Sequence, residues 1–104
     1  MPNGSKRPPD LGFAPQAMAP FETHPVTVGA ASAQSAAHDA DTYVVRLCAT
    51  VRTWVAFGAN PTADKAAGML LPADSPEYFV VTPGEKVAAL QDSAGGTLTV
   101  TEMR

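Results

Sequence analysis

Cysteine is almost missing from this chain of 104 residues: Cys48 stands alone. One thiol closes no internal disulfide, which excludes a disulfide scaffold and fits a chain made in a reducing cytoplasm. Basic charge is also scarce, with seven Lys and Arg against ten Asp and Glu and a net charge of −3. Nonspecific nucleic-acid binding needs clustered cations against phosphate. The one basic pair, Lys6-Arg7, has Asp10 close by, so no nucleic-acid partner is expected. Long apolar runs are absent too. No stretch approaches the roughly 20 residues of a membrane span. The opening "MPNGSKRPPDLGFAP" lacks the apolar core of a signal peptide, and no membrane partner is expected.

The groups that carry chemistry are equally sparse. There is no G-x-S-x-G elbow. Gly95-Gly96 is followed by no Lys-Ser/Thr pair and reads as a turn, not a phosphate loop. Cys48 sits between Leu47 and Ala49 with no activating neighbour, as a small strand hydrophobe does. Glu77 and Glu85 make a formal carboxylate pair, but in exposed contexts with no apolar pocket to raise either pKa. His24 and His38 are fourteen residues apart, and only Asp39 and Asp41 accompany His38. "HDAD" therefore reads as a polar loop before a cation site. The expectation is no catalytic residue, no cofactor, no metal and no enzyme.

What the chain does have begins with proline. Six of its ten prolines stand at Pro2, Pro8, Pro9, Pro15, Pro20 and Pro25. Each fixes φ and removes an amide donor, which forbids a continuous helix or a central strand over residues 1–25. Leu11, Phe13, Met18 and Phe21 are scattered among them, more apolar bulk than a disordered tail usually carries. Residues 1–23 are read as an extended arm that docks these side chains on the chain's own sheet or on a neighbouring subunit. Residues 24–104 are read as one domain. Its core is expected mostly after Tyr43, where large apolar residues become frequent.

"HPVTVGA" alternates as a short strand, and residues 31–41 read as a loop or one helical turn. From Thr42 the period is two: Tyr43, Val45, Leu47 and Ala49 share one face, and Val44, Arg46 and Cys48 the other. "RTWVAFG" follows almost at once, through a tight hairpin or a bulge in one long strand. Residues 58–68 are turn chemistry, with room for one helical turn at 62–67. "MLLP" and "PEYFVV" are short strands. "TPGE" fits a type II turn with Pro83 second and Gly84 third, read as closing a hairpin of residues 76–82 against 86–91. "TLTVTEM" ends the chain with Leu98 and Val100 inward and its threonines outward. About six to eight short strands, with turns every eight to twelve residues, predict an all-β fold. It is an antiparallel β-sandwich or a jelly-roll-like barrel.

Alternation sends Trp54 and Phe57 to opposite faces, so the central strands carry large apolar groups on both sides. A chain this small has difficulty covering both, and uncovered apolar surface of that extent usually meets a partner. The expected partner-binding residues are Leu11, Phe13, Met18, Phe21, Trp54 and Phe57.

Residues 42–103 carry a further signal. "VRLCATVRTWVAFGANPTA" and "GMLLPADSPEYFVVTPGEKVAALQDSAGGTLTVTEM" resemble small virion proteins of tailed bacteriophages and prophages. The matching pieces are turn and strand signatures. The resemblance implies a β-sandwich structural protein of the particle, with a capsid cement or decoration protein favoured. The partners it implies are the major capsid protein and the chain itself as a dimer or trimer. The place it implies is the capsid surface, after synthesis in the host cytoplasm. The alternatives are a tail, neck or fibre-associated protein, or a carbohydrate-binding β-sandwich with Trp54 or Tyr78 on an open platform.

Overall fold

The computed structural model describes residues 18–104. Among the described residues there are eight strands and no helix: β1 (Pro20–Val28), β2 (Ala33–Gln34), β3 (Val44–Ala49), β4 (Thr53–Gly58), β5 (Met69–Leu71), β6 (Glu77–Val80), β7 (Lys86–Gln91) and β8 (Gly96–Met103). They form two four-stranded sheets, β1-β8-β3-β6 and β2-β7-β4-β5, and every neighbouring pair is antiparallel.

The pairings β1 with β8, β2 with β7, β3 with β6 and β4 with β5 nest inside one another. The chain is thus doubled back at the β4–β5 connection. The doubled ribbon winds until β3 meets β8 and β4 meets β7. That winding is a jelly roll, the second of the two all-β architectures that the strand spacing allowed. Between the sheets lies one core: Val26 and Val28 of β1, Val45, Leu47 and Ala49 of β3, Val55, Leu71, Val81, Val87, Ala89, Leu98 and Val100. A fully buried Val or Leu contributes about 1.5–3 kcal/mol, so the inward rows of β3 and β8 are the backbone of stability. The core is not confined to the segment after Tyr43, because β1 supplies two of its valines.

Two connections differ from the sequence reading. The turn at residues 82–85 has the expected geometry. Gly84 has φ 85°, and the Glu85 amide donates to Thr82 O over 3.2 Å. It closes no hairpin, however. β6 pairs with β3 in the first sheet, and β7 with β4 and β2 in the second. The physical reason is the turn type. Two-residue hairpins use primed turns with positive φ at the first central position, which proline forbids, and a type II turn splays its flanking strands. Residues 50–52 likewise make neither a hairpin nor a bulge; they carry the chain from β3 in one sheet to β4 in the other. Both corrections follow from one fact, that successive strands of a wound ribbon mostly lie in opposite sheets.

Smaller features agree with local chemistry. Pro20 and Pro25 sit in β1, which is an edge strand, where a missing amide breaks no ladder on the open side. Residues 31–41 are a loop interrupted by the two-residue β2. At residues 64–68, Asp64 Oδ1 accepts from the Ala66 and Ala67 amides, and its carbonyl accepts from Gly68 N.

Candidate functional site

The inward row of β8 runs Leu98, Val100, Glu102. Two apolar residues are followed by a carboxylate with 0% exposure, the largest buried charge-bearing side chain in the structure's described part. The site is built around it, where β1, β8 and the β2–β3 loop converge. Thr42 Oγ1 donates to Glu102 Oε1 over 2.5 Å and the Asp39 amide to the same oxygen over 2.9 Å. His24 Nε2 lies 2.5 Å from Oε2. Burial pushes the Glu102 pKa up. The hydrogen bonds from Thr42, His24 and the Asp39 amide, with the charge of His24, outweigh that and hold it below the ordinary carboxylate value. An ionised carboxylate only accepts, so His24 Nε2 is the donor in this pair.

The strand register explains the convergence. Glu22 faces Glu102 across β1 and β8, and His24 faces Val100. Two residues apart, Glu22 and His24 share the face on which Glu102 lies, and His24 reaches it along the diagonal. Beside them, Asp39 uses its own carboxylate to accept from the Asp41 amide over 3.1 Å and from Arg104 Nη2 over 2.5 Å. The Arg104 guanidinium stacks 3.6 Å from the centre of the Phe21 ring. Its backbone pairs both ways with Ala19, at 2.8 and 2.9 Å. Arg104 thus ties the β2–β3 loop to the segment leading into β1.

His38 is buried at 3% exposure, and among the described residues neither ring nitrogen has a hydrogen-bond partner. Its backbone is engaged, with the amide donating to Glu85 O and the carbonyl accepting from Gly84 N. Burial lowers its pKa; Glu102 opposes this, His24 adds to it and Glu85 opposes it. The imidazole is therefore neutral at neutral pH.

No protein-family model, curated protein or solved structure matches the chain.

Of the partner-binding residues expected from sequence, Leu11 and Phe13 lie outside the described residues. Met18 is buried against Val44 and Met103, with Tyr78 packed alongside. Val44 precedes inward-facing Val45, so this small cluster sits on the outer face of the first sheet. Phe21 is 46% exposed beneath Arg104. Met18 and Phe21 thus fall at one end of the molecule. Trp54 and Phe57 do not share a surface. Trp54 is half-buried on the outer face of the second sheet, and its Nε1–H donates to Asp92 Oδ1 over 3.0 Å. The same carboxylate draws Arg52 to 3.7 Å and Lys65 to 3.9 Å. Phe57 turns to the sandwich rim, its ring 5.3 Å from that of Phe79 in the opposite sheet.

Sequence reasoning passed over Glu102, Thr42 and the pairing of Glu22 with His24. The signal for Glu102 was available, since it continues the Leu98, Val100 row by one more period of two. The signal for His24 was not, because its partner lies 78 residues away.

Proposed function

We propose that the protein is a structural part of a tailed-bacteriophage particle, a cement or decoration protein that binds the shell of major capsid protein. The observation that carries this reading is the seat of Met18. The segment entering β1 lies over an apolar row on the outer face of the first sheet, Val44, Tyr78 and Met103. Val80, paired with Val44 in the same face, is left 61% exposed, and Phe21 46%. An apolar anchor, Met18, seated beside exposed Val80 and near exposed Phe21 suits adhesion to another protein by side-chain anchors and edge pairing. The jelly roll is compatible with this use, since capsid proteins are among its hosts, although a fold alone assigns no function. The resemblance read in the strand and turn signatures of residues 42–103 implies the same class.

The test is immunogold electron microscopy of particles produced by the phage or prophage that encodes the chain. Regular label over the shell supports a cement protein. Label confined to tail, neck or fibres supports the other particle placements in its stead. Unlabelled particles, together with glycan binding that disappears in Trp54→Ala, contradict the reading in favour of a carbohydrate-binding module.

A further inference from the structure

Three side chains of metal-binding type meet beside the β1–β8 ladder. Glu22 and His24 come from β1, and Glu102 from β8, with Glu22 and Glu102 directly opposed. One ligand atom from each lies within 4.8 Å of the other two. His24 Nε2 is 2.5 Å from Glu102 Oε2 and 3.9 Å from Glu22 Oε1. Tetrahedral zinc, with bonds of about 2.0 Å, spaces its ligand atoms about 3.3 Å apart. The two observed separations bracket that value, and Glu22, whose side chain is 56% exposed, is free to swing.

The support around these atoms is that of an oriented ligand set. Thr42 and the Asp39 amide both hold Glu102 through Oε1, which leaves Oε2 directed at His24. Partners on the far oxygen of a ligating carboxylate fix its aim and raise affinity. A second observation is independent of the three. His38, one residue before the Asp39 that binds Glu102, keeps two buried ring nitrogens without partners. Buried polar atoms are almost always satisfied, by ordered water where protein does not serve. Glu102 and His24 both act electrostatically on the His38 ring, so it lies near the cluster.

We propose that Glu22, His24 and Glu102 form a site for a divalent cation of zinc type, with one imidazole nitrogen, two carboxylate oxygens and a fourth position open to water. The cation takes the position of the hydrogen that His24 Nε2 now donates to Glu102, and the imidazole that binds through Nε2 carries its N–H on Nδ1. Its effect is to clamp β1, the edge strand that carries the N-terminal segment, to β8. This assignment stands apart from the virion reading, and either can fail alone.

The test uses the full chain, free of any affinity tag and stripped with chelator, titrated with Co²⁺ and then Zn²⁺. The expected result is one Co²⁺ per chain with the intense visible absorption of a four-coordinate ion, displaced by Zn²⁺, and a raised melting temperature in Zn²⁺. Glu22→Gln and His24→Gln are each expected to weaken binding roughly tenfold or more, and Thr42→Val by about tenfold through Glu102. Glu22 is exposed, so its variant keeps the fold, and circular dichroism verifies this. No Co²⁺ spectrum, or binding that is undiminished in both Glu22→Gln and His24→Gln, overturns the proposal.

Discussion

Glu102 concentrates the molecule's electrostatic risk at a single residue. It is a fully buried ionised carboxylate held by Thr42, the Asp39 amide and His24. Glu102→Gln replaces one acceptor oxygen with a donor that faces donors. Breaking a buried charged network of this kind costs about 3–5 kcal/mol, and urea denaturation in chelator is expected to register a loss of that order. His38 gives the opposite expectation for a buried residue. Among the described residues its ring meets no hydrogen-bond partner, so in chelator His38→Leu removes two unsatisfied polar atoms and should leave stability unchanged or higher. The two residues also set a pH dependence of one sign. His38 has its folded pKa lowered from 6.5, so below pH 6.5 the unfolded chain binds a proton that the native chain refuses, and stability falls. Glu102 has its folded pKa lowered from 4.5. Its contribution is present above pH 4.5 and is lost as pH falls through the folded value. Melting temperatures measured from pH 7 to 4 should decline in wild type, and the part of the decline that begins near 6.5 should vanish in His38→Leu.

At the scale of elements, glycines decide two of the crossings between sheets. Gly84 occupies positive φ in the 82–85 turn, and Gly84→Ala is expected to cost about 1 kcal/mol. Gly96 opens β8 against the 50–52 connection. A Cβ there would overlap Thr50 Oγ1 and approach Val51 Cγ2 to 2.9 Å. Gly96→Ala is therefore expected to be the more damaging, at roughly 1–3 kcal/mol, by the same denaturation measurement. These turns also show how much of the fold was legible in the sequence. Most strands, their inward rows and the geometry of the Pro83-Gly84 turn were readable, because period two and local φ preferences belong to neighbouring residues; the first four residues of β1, read as arm, and the two-residue β2, read as loop, were not. Which strands pair was not readable in the same way. Residues 76–82 and 86–91 look like hairpin partners, and only the handedness of a type II turn argues against it. The site was legible in less measure. Glu102 extended a visible row, whereas its meeting with His24 depends on β1 lying beside β8, a product of the complete winding.

At the scale of the whole molecule, the described residues are a ribbon doubled at the β4–β5 connection and wound into two sheets, with β1 and β8 paired along their length. Its interior is closed by its own residues. Among the described residues, the outer face of the first sheet is covered only in part, by Met18 over Val44, Tyr78 and Met103; Val80 of that face, and Phe21 beneath Arg104, keep solvent exposure. Under the proposed function, this face and the segment entering β1 are the contact with a particle. Truncating an anchor at the centre of such a contact typically costs ~2 kcal/mol or more of binding. Because Phe21 and Val80 are exposed, Phe21→Ala and Val80→Asp are expected to leave melting temperature nearly unchanged while weakening attachment about thirtyfold. The direct measurement is co-sedimentation of the purified chain with tailed-phage capsid shells from the same source. The account predicts saturable, stoichiometric pelleting of wild type and its loss in the double variant Phe21→Ala, Val80→Asp. A folded chain that stays in the supernatant at every shell concentration, or a double variant that pellets as well as wild type, contradicts it.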